Sequence, residues 1–323
     1  MLTAACNNNS IVNVPFEPRR ITHVFHDIDG THSLIREWPP VMSAVLYDTI
    51  QNGLPDGYDS PENIRRLIDF AGGSPLEETD RFCVESAGLS ALTQMEWAIR
   101  RSLQEGHIRV DCDKAVNDEK IAGIWQGEEL FESPDSPALE RLLTEHTPRL
   151  FRLYEAVLNG YCRDKNLEKA RHNPAQYLVA GSLEWMAYLK KAGAKNYFVT
   201  GAVVEKGMGM YEEVEALGYT FGGDGLVEEI YGSTWDKKIP KDTIIRRLAA
   251  ELGVEAEQIL IVGDGRSEIA VGTAMGALTL SRLDSSSEAL RIHRSLGTNM
   301  IVENYLSGAL FQNLYNDEEY KGV

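Results

Sequence analysis

Residues 21–31 read ITHVFHDIDGT, a segment in which a short apolar run leads directly into two aspartates and a glycine. The apolar run favours a buried strand. Strand alternation then sends Asp27 and Asp29 to the same face, and Gly30 allows the chain to turn sharply beyond them. Two carboxylates are therefore predicted at the carboxyl end of a strand, where open α/β sheets bind their ligands.

Two neighbouring carboxylates repel each other unless a cation lies between them. A hard divalent cation with oxygen ligands, such as Mg²⁺, makes the pair favourable. A calcium-binding loop is a poor alternative, because its glycine belongs at the sixth position and its closing Glu at the twelfth, where this chain has Trp38. An ordinary turn remains the alternative for this motif taken alone.

A second acidic strand end occurs in ILIVGDGRSEI, residues 259–269. Asp264 follows the apolar run, and Glu268 lies four positions further on, one turn into the next predicted helix and facing back towards Asp264. The alternative for Glu268 is a carboxylate that only stabilises the helix N-terminus. Two acidic strand ends in one parallel sheet favour a shared cation site.

Two further segments offer partners for a phosphate. NYFVTGA, residues 196–202, ends a strand with the Thr200 hydroxyl and the backbone N–H of Gly201. TWDKKIPKDTII, residues 234–245, supplies three lysines, Lys237, Lys238 and Lys241. The helix dipole disfavours a lysine in the first turn, which indicates a compensating anion near Lys241. Counting helix turns favours Lys241, with Lys238 also within reach, and the choice among the three stays open.

The whole chain fits an α/β fold, with a Rossmann-like parallel sheet core flanked by helices. After residue 178, helical patterns alternate with short apolar runs that are typical of buried parallel strands. Between the first motif and that region the patterns are only helical. We therefore expect a core over residues 15–34 and 178–323 and an inserted all-helical domain over residues 35–177. The expected strands are Asn196–Val199, Glu229–Tyr231, Ile259–Val262, Leu278–Leu280 and Met300–Val302.

The amino-acid composition limits the classes of binding partner that we expect. The 323 residues carry 32 Lys and Arg against 49 Asp and Glu, a formal charge of −17, which repels nucleic acid and anionic membranes. No apolar run approaches the length of a membrane span. The four cysteines contain no Cys-x-x-Cys pair, so we expect free thiols in a reducing cytoplasm. A small molecule is the expected partner.

Taken together, the motifs resemble those of the haloacid dehalogenase-like (HAD) phosphohydrolases. The resemblance covers roughly residues 20–33 and 180–305, and the helical insertion resembles a large form of the family's cap domain. One departure is the acidic residue that closes the fourth motif, which is a glutamate here. The matching positions are DxDGT at Asp27–Thr31, the second-motif hydroxyl Thr200, the lysine segment Lys237–Lys241, and GDxxxD at Gly263–Glu268.

The resemblance implies Mg²⁺-dependent hydrolysis of a small phosphorylated metabolite. Asp27 is the implied nucleophile, which forms an aspartyl-phosphate, and Asp29 is the implied general acid and base. The implied magnesium ligands are Asp27, the backbone carbonyl of Asp29, Asp264, and Glu268 directly or through water. The implied phosphate-binding residues are Thr200, Gly201 and Lys241, with Lys238 as the second choice of lysine.

Two alternatives remain at the level of sequence. A phosphomutase of the same family differs mainly in whether the cap denies water access to the aspartyl-phosphate. A catalytically silent binding or regulatory domain would keep the fold and lose the reaction. His26 and His32, which flank the first motif, are expected to form local hydrogen bonds. Substrate identity, the cap residues that set specificity, and oligomeric state have no signal in the sequence.

Overall fold

A single sheet of seven strands organises the molecule in the computed structural model, which describes residues 10–35, 38–86, 88–235, 237–284, 287–307, 310 and 314. The strand order is β1-β7-β6-β5-β2-β3-β4. Neighbours run parallel except for β1 and β7, which pair antiparallel. The strands are β1 (Ser10–Val12), β2 (His23–His26), β3 (Lys195–Val203), β4 (Ile230–Ser233), β5 (Ile259–Gly263), β6 (Leu278–Arg282) and β7 (Met300–Val302).

The predicted α/β class is therefore confirmed, and each of the five expected apolar runs overlaps a strand. Strand β2, which carries the first motif, lies between β3 and β5. Its side chains alternate between the two faces, with Val24 packed in one apolar cluster and Phe25 in another. Because β2, β3, β5 and β6 run parallel, their carboxyl ends meet at one edge of the sheet.

Twelve α-helices surround this sheet or form the insertion within the described residues. A π-helix (Asn159–Arg163) and two 3₁₀ turns (Pro174–Gln176 and Ala256–Gln258) complete the helical elements. The helices are α1 (Pro39–Asn52), α2 (Pro61–Phe70), α3 (Glu77–Glu85), α4 (Ala91–Glu105), α5 (Lys114–Trp125), α6 (Pro137–Leu158), α7 (Asp164–His172), α8 (Ser182–Lys191), α9 (Met210–Ala216), α10 (Lys241–Glu251), α11 (Arg266–Met275) and α12 (Ser287–Ser295).

The insertion has an apolar core of its own, built by helices α1 to α6. At its centre the Phe82 and Trp97 rings stack with centroids 3.8 Å apart, and both side chains are fully buried. Helix α7 packs differently, because Leu167 and Ala170 belong to the apolar cluster of the sheet. The packing thus changes from insertion to core near the π-helix, upstream of the predicted boundary at residue 177.

Helix α6 carries the chain from the outer part of the insertion to the sheet edge. It begins at the Ser136 cap, whose hydroxyl accepts the Leu139 N–H, and continues through Pro148. Proline removes one helical hydrogen bond without ending the helix here. The π-helix follows directly and ends at Arg163, which lies beside the carboxyl ends of the strands.

None of the helices within the described ranges combines the length and the apolar character that a membrane crossing requires.

Candidate active site between the sheet and the helical insertion

A cavity of about 450 Å³ lies at the carboxyl edge of the sheet and is roofed by the insertion. Trp38 and Phe151 are among the lining residues that the insertion supplies. The core supplies the motif residues, which come from four different segments of the chain. Those that line the cavity are Asp27, Asp29, Thr200, Gly201, Lys241 and Asp264.

Three carboxylates converge beneath this cavity. Asp27, Asp264 and Glu268 each offer an oxygen atom, and these atoms all lie within 4.8 Å of one another. The Thr31 hydroxyl donates to Asp264 Oδ1 at 3.2 Å, which ties the end of the first motif to the fourth. The structure thus brings the two acidic strand ends together, as parallel neighbours β2 and β5 require.

Gly30 makes this close approach possible. Its φ of +74° lies in the left-handed region, and a Cβ atom there would stand 1.9 Å from Asp264 Oδ2. The Gly30 carbonyl is held from the other side by the buried Arg282, whose Nη1 donates to it at 2.8 Å. The turn after the two aspartates is therefore fixed by contacts on both sides.

Lys241 is the lysine that reaches the carboxylates. Its Nζ atom lies 2.6 Å from Asp27 Oδ1 and 3.5 Å from Glu268 Oε2, at the first residue of α10. Lys238 instead donates to Glu96 Oε2 of the insertion at 2.8 Å and does not line the cavity, and Lys237 is exposed. The structure therefore places Lys238 in a contact between core and insertion.

Burial dominates the electrostatics of the acids. It raises the pKa of Asp27, and the neighbouring Lys241 offsets part of that rise. Burial also raises the pKa of Asp264 well above its ordinary value, with further contributions from Asp27 and Glu268. Burial alone would lower the pKa of Lys241, but Asp27 and Glu268 hold it above its ordinary value. Lys241 is therefore charged at neutral pH.

The donor set suits a hard divalent cation. All three donors are carboxylate oxygens, the ligands that Mg²⁺ prefers, and a cation would relieve the repulsion that raises the pKa of Asp264. Glu268 has additional partners, because its oxygens accept the Gly265 N–H at 2.7 Å and the Ser267 hydroxyl at 2.9 Å. Glu268 thus caps α11 and also faces the acid cluster, which unites both interpretations from the sequence.

Thr200 and Gly201 lie within β3, near its carboxyl end, where its pairing with β4 shifts register between Val199 and Val203. The buried Thr200 Oγ1 accepts the Ala202 N–H at 3.1 Å. A Cβ atom on Gly201 would lie 2.4 Å from the Leu89 carbonyl oxygen of the insertion. The absence of a side chain at Gly201 therefore lets the insertion close directly over this strand end.

Asp29 also lines the cavity and is influenced by the charges of Glu213 and Arg163, which the sequence did not single out. Burial raises its pKa well above the ordinary value, with Glu213 as the next largest cause. Glu213 Oε1 accepts the Ser33 hydroxyl at 2.6 Å, and Arg163 forms a forked ion pair with Glu155 of α6. Asp29 is consequently favoured in its protonated form.

One of the residues without a prediction had a signal in the sequence. Arg282 ends strand β6, so the strand-end rule that found Asp27 and Asp264 applies to it as well. Glu155 and Arg163 had none, because arginine and glutamate on a helix usually mark a solvated face.

A chain of buried hydrogen bonds lies beneath the first motif. His26 Nε2 lies 3.1 Å from Asn196 Oδ1, His32 Nε2 lies 2.9 Å from His26 Nδ1, and His32 Nδ1 contacts the Ser182 hydroxyl. The Ser182 hydroxyl lies 2.7 Å from that of Tyr219. Both histidines form hydrogen bonds as expected, but only the contact between them is local, because Asn196 and Ser182 are distant in the sequence. These contacts anchor the segment that carries the aspartates.

Asn196 fixes the donor and acceptor roles at one end of this hydrogen-bond chain. Asn196 Nδ2 donates to the carbonyls of Met186 and Leu226 at 3.1 and 3.0 Å, which leaves Oδ1 as the acceptor for His26. His26 Nδ1 then accepts from His32, so the network assigns both histidines a proton on Nε2. Burial lowers the pKa of His26 to about 4 and that of His32 well below its ordinary value.

No protein-family model matches the chain, and no curated protein matches it. Solved structures do. An inferred phosphoglycolate phosphatase from Lactobacillus delbrueckii is 15% identical with a TM-score of 0.50, and the match covers 92% of this chain and 99% of that one. A predicted phosphatase from Clostridium acetobutylicum is 13% identical with a TM-score of 0.48, covering 92% and 100%.

A beta-phosphoglucomutase from Clostridium difficile is also similar, with 14% identity and a TM-score of 0.48, over 92% of this chain and 98% of that one. Sequence identities this low support a shared fold but not a shared reaction. The sheet order, the helical insertion after the first strand and the match in fold agree with the four motifs. The chain therefore has the haloacid dehalogenase-like fold, and the resemblance seen in its sequence is confirmed at that level.

Proposed function

We propose that the protein is a Mg²⁺-dependent phosphomonoester hydrolase that acts on a small phosphorylated metabolite through an aspartyl-phosphate on Asp27. The observation that carries the proposal is the convergence of Asp27, Asp264 and Lys241 at one cavity. Phosphoryl transfer depends mainly on positioning and on neutralising charge, and these residues supply both.

In the first step a carboxylate oxygen of Asp27 attacks phosphorus, and the bond from phosphorus to the ester oxygen breaks. Asp29 gives its proton to the departing alkoxide. Water then attacks the phosphorus, transfers a proton to Asp29, and the Asp27–phosphorus bond breaks to release inorganic phosphate. The first step leaves Asp29 deprotonated and Asp27 phosphorylated, and the second step restores both residues to their starting state.

Several contacts support these roles. The raised pKa of Asp29, caused by burial and then by Glu213, favours the protonated form that the first step needs. Lys241 lies 2.6 Å from the nucleophile, where its charge stabilises the transferred phosphoryl group. Asp27 and Asp264 would hold the cation, with Glu268 beside them. A bound Mg²⁺ would neutralise phosphate charge and orient the ester.

The surroundings suit a reaction that must exclude bulk water. Trp38, Leu89 and Phe151 place apolar surface over the cavity. We also propose a cytoplasmic location, because Cys83 and Cys112 are free thiols. The formal net charge of −17 supports a small-molecule partner rather than nucleic acid or a membrane.

Hydrolysis of p-nitrophenyl phosphate tests the proposal. We expect turnover that requires Mg²⁺, stops with a chelator and is lost in Asp27→Asn. Asp242→Asn is the matched control, because Asp242 lies in the first turn of α10 and its carboxylate bonds only to neighbouring Thr243 among the described contacts. Full activity in Asp27→Asn would exclude Asp27 as the nucleophile.

Release of inorganic phosphate from phosphorylated metabolites separates the alternatives. A phosphomutase would rearrange a phosphorylated substrate without releasing inorganic phosphate. A silent domain would bind phosphate or an ester without converting either.

A further inference from the structure

The wall of the cavity opposite the sheet is built where α6 passes into the π-helix. Tyr154 and Glu155 from the end of α6 and Arg163 from the π-helix all line the cavity. A π-helix interrupts regular helical spacing and is frequent at functional sites. This wall lines the same cavity as Asp27 and Lys241.

Arg163 is already neutralised by its own neighbours. Its Nη1 lies 2.5 Å from Glu155 Oε2 and its Nη2 lies 3.0 Å from Glu155 Oε1, in a forked pair. Nη1 also donates to Asn159 Oδ1 at 3.2 Å. Both terminal nitrogens therefore point to protein oxygens, and a forked pair of this kind is among the stronger polar contacts in proteins.

The two other basic residues among the described lining residues also have partners. Lys241 pairs with Asp27, and Arg282 donates to the Gly30 carbonyl while its Nη2 lies 2.7 Å from Asp284 Oδ1. The described lining contains six acids and three bases. Each cation of the described lining therefore already has a carboxylate partner in the protein.

Tyr154 offers a neutral polar group instead. Its side chain is 5% exposed, it lines the cavity, and no hydrogen bond of its hydroxyl is found within the described part of the chain. Burial raises the pKa of Tyr154 well above its ordinary value, which keeps the hydroxyl protonated as a donor. Around it the wall is apolar, with Met42 and Leu158.

From this inventory we propose that the leaving group of the substrate is an uncharged alcohol, and that the cavity selects against phosphomonoesters with a second anionic group. The inference rests on the proposed function, because it concerns the substrate of that reaction. A carboxylate buried against this wall would lack a free cation, and a buried charge without a partner is strongly unfavourable. A hydroxyl at the same place finds the Tyr154 donor.

Matched pairs of esters test the proposal on the full-length enzyme. 2-Hydroxyethyl phosphate and phosphoglycolate differ in a hydroxymethyl against a carboxylate, as do glycerol 3-phosphate and 3-phosphoglycerate. We expect kcat/KM to favour the uncharged member by at least about 100-fold in both pairs, the size expected for an unpaired buried group. Equal rates, or faster hydrolysis of the carboxylates, would overturn the inference.

Removing the Glu155 partner of Arg163 provides a second test, in which the preference for uncharged esters should weaken. Glu155→Gln removes the carboxylate that neutralises Arg163, so we expect KM for phosphoglycolate to fall at least about 10-fold relative to 2-hydroxyethyl phosphate. Glu145→Gln is the matched control, because Glu145 lies on the same helix and pairs with Arg149 on the surface. An unchanged ratio in Glu155→Gln, with the variant folded by circular dichroism, would contradict the role given to Arg163.

Binding separates this inference from the proposed function. Calorimetric titration of Asp27→Asn with the same two ester pairs measures selection by charge without turnover. Tighter binding of the uncharged esters supports the inference even if the wild-type enzyme hydrolyses none of them, in which case the proposed function alone fails. Turnover of p-nitrophenyl phosphate together with equal binding of both esters in each pair would contradict the inference but not the proposed hydrolysis.

Discussion

Lys241 Nζ lies 2.6 Å from Asp27 Oδ1, in a buried ion pair whose members are 214 positions apart in the sequence. The pair links the start of α10 to the end of β2 across the sheet edge. It fixes the side chain of the proposed nucleophile and brings one positive charge to the position where phosphate would bind.

Replacing Lys241 tests this relationship. We expect Lys241→Met to lower kcat by about 10²–10³-fold, because a charge preorganised for the transferred phosphoryl group is lost. Lys238→Met serves as the matched control and should change kcat by less than about threefold, since Lys238 contacts Glu96 rather than the cavity. Steady-state kinetics and thermal unfolding of both variants provide the measurement. Similar losses of kcat in the two variants would remove Lys241 from the site.

Gly30 gives a prediction that separates backbone strain from a steric clash. Gly30→Ala places a Cβ 1.9 Å from Asp264 Oδ2, whereas Gly276→Ala, at a similar φ of +82°, meets nothing within 4 Å. Both variants should lose about 1 kcal/mol of stability from the left-handed backbone. Only Gly30→Ala should also raise the Mg²⁺ concentration needed for half-maximal activity. An equal Mg²⁺ requirement in both would show that Asp264 does not act at the cation site.

The contact of Lys238 with Glu96 predicts an energetic link between the core and the insertion. Glu96 is half-buried, and Lys238 together with Arg100 holds its pKa below the ordinary value against the opposing effect of burial. A double-mutant cycle of Lys238→Met and Glu96→Gln, measured by urea unfolding, should give a coupling free energy of about 1 kcal/mol. Additive effects of the two substitutions would mean that the pair does not stabilise the closed insertion.

The histidine chain beneath the first motif predicts a spectroscopic signature. We expect the ring nitrogens of His26 and His32 to show neutral rings protonated on Nε2 from pH 8 down to pH 5.5, because burial lowers both pKa values. Nitrogen-15 spectra of histidine-labelled protein measure this, with His26→Gln for assignment. A cationic ring at pH 6 at either position would contradict the assigned network.

The same pKa shift makes a stability prediction with a definite sign. A histidine whose folded pKa is lowered stabilises the protein above pH 6.5, and this stabilisation is lost as the pH falls towards 4. The difference in unfolding free energy between wild type and His26→Gln should therefore shrink by about 2 kcal/mol between pH 7 and pH 5. A constant difference would place His26 in contact with solvent.

Much of the fold was accessible from the sequence, because parallel strands that are buried on both faces leave short apolar runs between helices. The runs before Asp27 and Asp264 are clear examples, and their pairing through β2 and β5 follows from parallel topology. The antiparallel edge strand Ser10–Val12 was not predicted. Three residues carry too little periodicity, and their pairing with β7 depends on the completed sheet.

The residues of the candidate site also differ in how far the sequence predicts them. Residues at strand ends were predictable because topology alone brings them to one edge, and Lys241 was favoured over Lys238 by its place in the first helical turn. The wall formed by Tyr154 and Arg163 was not, since its position depends on the π-helix and on how the insertion packs over the sheet. Local sequence patterns do not indicate how the insertion packs over the sheet.

The proposed hydrolysis requires that Asp27 becomes phosphorylated during turnover. Borohydride reduction of the quenched enzyme converts an aspartyl-phosphate into homoserine, which peptide mass spectrometry locates by residue. We expect homoserine at position 27 only when Mg²⁺ and a phosphomonoester are both present. Homoserine at position 29 or 264, or steady release of phosphate with position 27 unmodified throughout, would contradict it.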